Sequence, residues 1–230
     1  MRQADFVLME NYMLSCMKDS AHDKEHVYRV LYTALDIAEQ EEPVDYDILI
    51  AACLLHDIGR EEQYADPKCC HAAVGAEKAY CFLKEHGYSE EFAVRVASCI
   101  RTHRYRTELQ PESIEAKILF DADKIDTTGT IGIARTILYQ GIVGDPLYLL
   151  DKTGKISDGT EDEEPSFFHE YKYKLEKLYT KFYTQRGMEI AASRQKSAEQ
   201  FYRNMVKEVK QSYLGKSSIS KHLLSSRKLQ

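Results

Sequence analysis

Residues 46–59 read YDILIAACLLHDIG. From Ile48 to Leu55 every side chain is apolar or small, so a helix here is greasy all round and must be packed on every side. Pro43 precedes it and Gly59 closes it. At its end stand two polar, ligand-type residues, His56 and Asp57. Neighbouring side chains on a helix diverge by about 100°, so the two reach a common point only near the helix end, as they do toward a bound cation. The same pair also suits an Asp that caps the helix beside a His satisfied in the core.

Outward from this stretch the periodicity is helical throughout. Val27, Val30, Leu31, Ala34 and Ala38 step by three and four, which predicts a helix over 23–40, stopped by the Glu-Glu-Pro at 41–43. Further helices are predicted over 69–86, closed by Gly87; over 90–103, with Ser89 as N-cap; over 112–126; and over 130–140. Strand-like alternation is hard to find. The predicted fold is all-α: a helical bundle over 1–143 and, after an acidic mobile loop over 144–165, C-terminal helices over 166–214 packed on the bundle. These helices are expected to break around Gly187, and the tail, 215–230, to be basic and weakly ordered.

The 230 residues are 43% apolar and 30% charged, which excludes disordered and collagen-like classes. The net charge is −6, split between an acidic 1–150 (15 basic, 26 acidic residues) and a basic 166–230 (14 basic, 5 acidic). An acidic chain is a poor partner for duplex nucleic acid, whereas its basic end suits phosphates. Six cysteines without any C-x-x-C predict reduced core thiols rather than a disulfide or zinc framework. No window reaches the roughly 18 apolar residues of a membrane span, and the N-terminal stretch does not read as a signal peptide, so a cytoplasmic monomer or homodimer is expected.

Two more polar groups fall on apolar helices. His26 lies at the edge of the stripe of the first helix, and Asp121 shares a face with Ile114, Ile118 and Ile125. A lone buried aspartate is costly. His26, His56, Asp57 and Asp121 would compensate one another around a divalent ion, and a His2Asp2 set suits manganese, magnesium, iron, cobalt, nickel or zinc. Such an ion supplies hydroxide near pH 7 and polarises a phosphoryl oxygen. Asp57 is then expected either as plain ligand or as the group that also takes the proton of the attacking water. Arg29, Arg60 and Lys124 are the candidate cations for substrate phosphate, with Lys124 also a candidate catalytic group. Lys174, Arg186 and Arg194 could reach outer phosphates while Tyr171 or Tyr202 stacks on a base. His71 and His103, at helix ends, either bind a second metal or serve phosphate and leaving group; with no bridging carboxylate identified, the one-ion version is preferred. His86, His169 and His222 read as ordinary exposed histidines.

The segments 22–30 (HDKEHVYRV), 54–59 (LLHDIG), 71–77 (HAAVGAE), 100–103 (IRTH) and 119–126 (LFDADKID) resemble, in order and spacing, the HD-domain metal-dependent phosphohydrolase superfamily. Segments 131–135 (IGIAR), 184–187 (TQRG) and 191–194 (AASR) are similar to a subgroup of small stand-alone bacterial HD hydrolases. The resemblance spans about 20–210. It implies a helical bundle, His26, His56, Asp57 and Asp121 as metal ligands, manganese as the preferred ion, and hydrolysis of a nucleotide phosphoanhydride, as in nucleoside triphosphate pyrophosphohydrolases. A 5′-nucleotidase, a cyclic-nucleotide phosphodiesterase and a catalytically silent metal-tied scaffold are the alternatives. The pentapeptide 22–26 also satisfies H-x-x-E-H, the inverted zinc-peptidase pattern, but leaves His56, Asp57 and Asp121 unexplained.

Overall fold

The structure, a computed structural model, describes residues 1–17, 24–104 and 109–225. Its elements are α1 (Gln3–Cys16), α2 (Lys24–Ala38), α3 (Tyr46–Leu55), α4 (Arg60–Ala65), α5 (His71–Glu85), α6 (Glu90–Thr102), α7 (Ile114–Ile125), α8 (Gly129–Val143), α9 (Phe167–Tyr173), a 3-10 helix (Leu175–Thr180), α10 (Gln185–Ser212), a 3-10 turn (Tyr213–Gly215) and α11 (Lys216–Ser225). Among the described residues extended structure is limited to one isolated bridge, Leu150 with Ile156. The architecture is all-α.

Side-chain caps start the helices that frame the site. Asp45 accepts from the amides of Asp47 and Ile48 ahead of α3, Ser89 from Phe92 ahead of α6, and Ser113 from Ala116 ahead of α7. Each satisfies amides that have no partner within their own helix, typically about 1 kcal/mol per cap. Helix α3 is the central rod, with Ile48, Leu49 and every residue from Ala51 to Leu55 buried. Around it pack α1, α2, α6 and α7, while α5 lies along α6. Burying each large aliphatic side chain contributes roughly 1.5–3 kcal/mol.

A second, smaller core lies in the C-terminal part. Phe167, Phe168 and Tyr171 of α9 meet Leu175, Leu178, Ile133 of α8 and Tyr202 of α10. The break in the C-terminal helices falls at 174–184 rather than at Gly187, which sits in the first turn of α10. Gly187 is needed there for space: a Cβ would lie 2.7 Å from the Asp121 carboxylate and from Thr184 Oγ1. The acidic connection expected to be mobile holds defined turns. Asp151 Oδ1 accepts from the amides of Thr153 and Lys155, and Phe167 and Phe168 donate to the carbonyls of Pro146 and Leu147. Two further differences lie at the ends. Helix α1, which the sequence reading does not predict, buries only Met9 and Met13, and α11 continues into the segment expected to be weakly ordered.

Candidate metal centre

Four histidines from four segments converge beneath the bundle: His26 on α2, His56 at the end of α3, His71 opening α5 and His103 ending α6. All four are buried. Helix α5 comes this near because residue 59 has no side chain; a Cβ on Gly59 would stand 2.4 Å from the His71 carbonyl oxygen and 2.6 Å from the Gly75 amide.

Each imidazole is held by its Nδ1. His56 Nδ1 lies 2.8 Å from the Cys53 carbonyl and His103 Nδ1 2.6 Å from the Ile100 carbonyl. His71 Nδ1 lies 2.9 Å from Gln63 Oε1, and Gln63 is oriented by accepting from Arg60 and donating to the Cys69 carbonyl. His26 Nδ1 lies 2.8 Å from Asp126 Oδ2. Carbonyl and carboxylate oxygens only accept, so every Nδ1 carries a proton and every Nε2 is turned toward the centre.

Asp57 stands between the rings. Its Oδ2 is 3.5 Å from His26 Nε2 and 3.7 Å from His56 Nε2; its Oδ1 is 3.6 Å from His71 Nε2 and 3.7 Å from His103 Nε2. Asp123 Oδ1 closes the first side, 3.4 Å from His26 Nε2 and 4.0 Å from His56 Nε2. Two groups result, His26/His56/Asp123 and Asp57/His71/His103, each with ligand atoms close enough for one ion. Asp57 Oδ2, His71 Nε2 and His103 Nε2 are buried without a hydrogen-bond partner. Lone pairs facing lone pairs in a dry interior are stable only with a cation or donated protons among them, and this donor set fits a divalent ion.

The electrostatics follow from the same geometry. Burial raises the pKa of Asp57, but Arg60, which donates to Oδ1 at 2.9 Å, and the histidines outweigh it and hold the carboxyl well below the usual range. For His26 burial also opposes charging, yet Asp123, Asp126 and Asp57 together raise it to about 10. Burial pushes His56 down to about 4 and His71 down to about 2. Behind His26, Asp126 is clamped from two sides: Arg29 donates to both its oxygens at 2.7 and 3.0 Å, and Arg135 donates to Oδ2 at 2.7 Å.

Of the residues singled out from sequence, His26, His56, Asp57, His71 and His103 meet here, with Arg60 on Asp57. Asp121 does not. Its carboxylate faces the C-terminal lobe, accepting from the amides of Tyr183 at 3.0 Å and Thr184 at 2.8 Å and from Thr184 Oγ1 at 2.7 Å. The reason is helical phase: residues 121 and 123 differ by about 200° around α7, so only one of them faces the bundle. Asp123 takes the place expected of Asp121. Lys124 shares the Asp121 face. Its ammonium donates to the Lys181 carbonyl and lies 4.3 Å from the centre of the Phe182 ring, where burial lowers its pKa to about 8. These contacts place its ammonium in the C-terminal lobe rather than among the histidines. Arg29 meets the centre through Asp126.

The C-terminal cations are likewise engaged structurally: Lys174 with Glu170, Arg186 with Asp36, and Arg194 with the Ile125 carbonyl. Tyr171 and Tyr202 stack on each other at 3.9 Å rather than offering a face to a base. Glu25 is exposed while His26 is buried, so the zinc-peptidase pattern is not assembled on that side; His22 lies outside the described residues. His86 and His222 are exposed and His169 is half-buried. The sequence reading misses Asp123, Asp126, Arg135 and Gln63. The i, i+3 spacing of Asp123 and Asp126, which puts one carboxylate beside the Nε2 atoms of His26 and His56 and one behind a histidine, is the signal that could have found the first two.

A model of the HD domain matches residues 24–128, the segment that carries all these groups except Arg135. The uncharacterized protein YpgQ of Bacillus subtilis (strain 168) is 30% identical over 197 residues, 84% of this chain and 86% of that protein. This chain belongs to the HD-domain family. An HD-superfamily hydrolase from Bacillus thuringiensis aligns at a TM-score of 0.66 with 31% identity, over 90% of this chain and 97% of its own. The crystal structure of Bacillus subtilis YpgQ in complex with ADP aligns at 0.68 with 26% identity, over 89% of this chain and 97% of its own. The HD-domain chain is thus an HD-superfamily hydrolase in class, with a His/Asp cluster suited to a divalent metal. Among the described residues no helix is long and apolar enough to cross a membrane.

Proposed function

We propose that this protein is a metal-dependent phosphohydrolase that cleaves a nucleotide phosphoanhydride, in the manner of a nucleoside triphosphate pyrophosphohydrolase. The observation that carries the reading is the Asp57 carboxylate, buried between two pairs of histidines whose Nε2 atoms all face it. His26, His56, Asp123 and Asp57 Oδ2 would hold the divalent ion, with manganese the first choice. Bound there, a divalent ion acidifies its water and polarises a phosphoryl oxygen.

The chain's own groups do the rest. Asp126 and the Cys53 carbonyl fix the tautomers of His26 and His56. Asp57 stays ionised beside Arg60, and the charges that keep it so make it a weak base, which favours it as ligand over proton acceptor. On its far side Asp57 Oδ1 with the Nε2 atoms of His71 and His103 forms an acceptor face that orients the hydrogens of the attacking water. Arg60 and, nearby, Arg104, whose NH1 lies 3.6 Å from Cys70 Sγ beside His71, supply positive charge for phosphate. The nucleotide choice is supported by YpgQ, which was solved with ADP. A second ion between Asp57, His71 and His103 is the competing reading, favoured by the three acceptor atoms gathered there.

The test is a panel of nucleoside tri-, di- and monophosphates and cyclic nucleotides with manganese, magnesium, cobalt and nickel, run beside Asp57→Ala, with products identified by mass. Pyrophosphate and monophosphate from a triphosphate are expected, and loss of turnover in Asp57→Ala. Phosphate released from monophosphates would assign a 5′-nucleotidase, and ring opening a cyclic phosphodiesterase. Tight metal binding with a flat panel would leave the scaffold. Metal stoichiometry of the wild type against His103→Ala separates one ion from two.

A further inference from the structure

A cleft of about 440 Å³ opens on the C-terminal lobe, within the ~300–1,000 Å³ of small-molecule sites. It shares no residue with the histidine centre. Its apolar part is Tyr202 and Val206 of α10. Tyr202 is buried, stacks on Tyr171 of α9 and donates to the Asp158 carbonyl, so the second core holds this floor in place.

Around the floor the charge is almost all of one sign. Lys172 of α9 and Arg203, Lys207 and Lys210 of α10 line the cleft against a single carboxylate, Asp158, on a chain whose net charge is −6. Arg203, Lys207 and Lys210 fall within about 60° of arc on α10 and along about 10 Å of its axis. Like charges at i, i+4, as Arg203 and Lys207 are, weaken a helix. Lys172 is matched by Glu176 at 2.8 Å and Arg203 by Glu199 at 3.6 Å, whereas Lys207 and Lys210 form no ion pair among the described residues. The Asp158 carboxylate is partly taken up by the Thr160 amide, which donates to Oδ1 at 3.0 Å. A concave wall of one sign focuses its field into the cleft and draws in the opposite charge.

We propose that this cleft is a metal-independent binding site for a small molecule carrying two or more linked phosphates, either an inorganic polyphosphate or the phosphate chain of a nucleotide. A lone phosphate meets one or two of these cations, whereas linked phosphates reach along the row on α10 and across to Lys172. An occupant therefore ties α9 and the turn at Asp158 to α10.

Calorimetric titration with sodium tripolyphosphate tests this on the full-length chain, stripped of metal and dialysed free of chelator. One site per chain is expected. Lys207→Ala and Lys210→Ala are each expected to weaken it about tenfold, and the double variant to lose it, with an unchanged helical melting curve because both side chains are exposed. Arg101→Ala, which removes an exposed cation from α6, is expected to bind as the wild type does. A nucleoside triphosphate separates the two sources: binding at least as tight as tripolyphosphate, and lost in the double variant, assigns the nucleotide, and weaker binding assigns the inorganic chain. A double variant that titrates like the wild type overturns the proposal. So does an equal loss in Arg101→Ala, the mark of diffuse anion condensation, or orthophosphate binding as tightly as tripolyphosphate.

Discussion

Asp121 and Asp123 sit two residues apart on α7 and serve opposite sides of the molecule. Asp123 Oδ1 lies 3.4 Å from His26 Nε2 at the metal centre, whereas Asp121 Oδ2 accepts from the Thr184 amide and hydroxyl at 2.8 and 2.7 Å at the start of α10. One helix thereby joins the centre to the C-terminal lobe. Asp123→Ala is expected to abolish stoichiometric manganese binding. Asp121→Ala is expected to keep it and to lower stability by about 1–3 kcal/mol, the cost of leaving the cap of α10 unmatched. Metal titration paired with denaturant unfolding on both variants checks the division; loss of the ion in Asp121→Ala alone contradicts it.

Asp126 does not face the centre: its Oδ2 holds His26 Nδ1, and both its oxygens are held by Arg29, Oδ2 also by Arg135. Asp126→Asn should therefore weaken manganese affinity about 10–100-fold without removing a ligand, the usual cost of losing such a partner. Calorimetric titration measures it. An unchanged affinity would show that the ring needs no such support.

Gly59 and Gly75 let α5 abut the turn after α3, with His56 O 3.3 Å and Gly59 N 3.4 Å from the Cβ position of residue 75. Gly59→Ala meets backbone rather than a flexible side chain, so His71 must move away from Asp57. A destabilisation of about 1–3 kcal/mol is expected, together with a loss of turnover larger than that stability change explains. Gly75→Ala, with looser contacts, should cost less. Urea unfolding and steady-state rates on the two variants give the comparison.

Removing the metal should itself destabilise the fold, because Asp57 Oδ2, His71 Nε2 and His103 Nε2 are then left buried without a partner. An ion present at a hundred times its dissociation constant contributes about 2.7 kcal/mol to the folded state. Addition of a chelator should lower the melting temperature of the wild type and leave that of Asp123→Ala unmoved. Equal response in both would mean that the ion sits elsewhere.

The helical fold and most of the centre were legible in the chain itself. Burial on all sides of 48–55 predicts the central helix, and the His-Asp pair at its end points to a site only together with the polar groups on the other apolar helices, since alone it also suits a capping Asp beside a satisfied His. His26, His71 and His103 stand at positions where an apolar helix begins, ends or carries a polar edge. The N-terminal helix is not legible in the sequence because it buries only two side chains and so has no stripe to read. Asp121 reads as the ligand because α7 is buried on both of these faces, by two different cores. Hydrophobic periodicity shows that a face is covered and is silent on what covers it.

Local sequence determined what depends on near neighbours along the chain: which segments are helical, where they stop, and that histidine and carboxylate groups are stranded on apolar surfaces. Only the tertiary structure decided which carboxylate joins the histidines, that Lys124 serves the C-terminal lobe, and that Asp126 stands behind His26, since these depend on the rotation of α7 between two cores. That rotation is set by the sum of contacts from chain segments as far as about a hundred residues away, and no single stretch of sequence contains it.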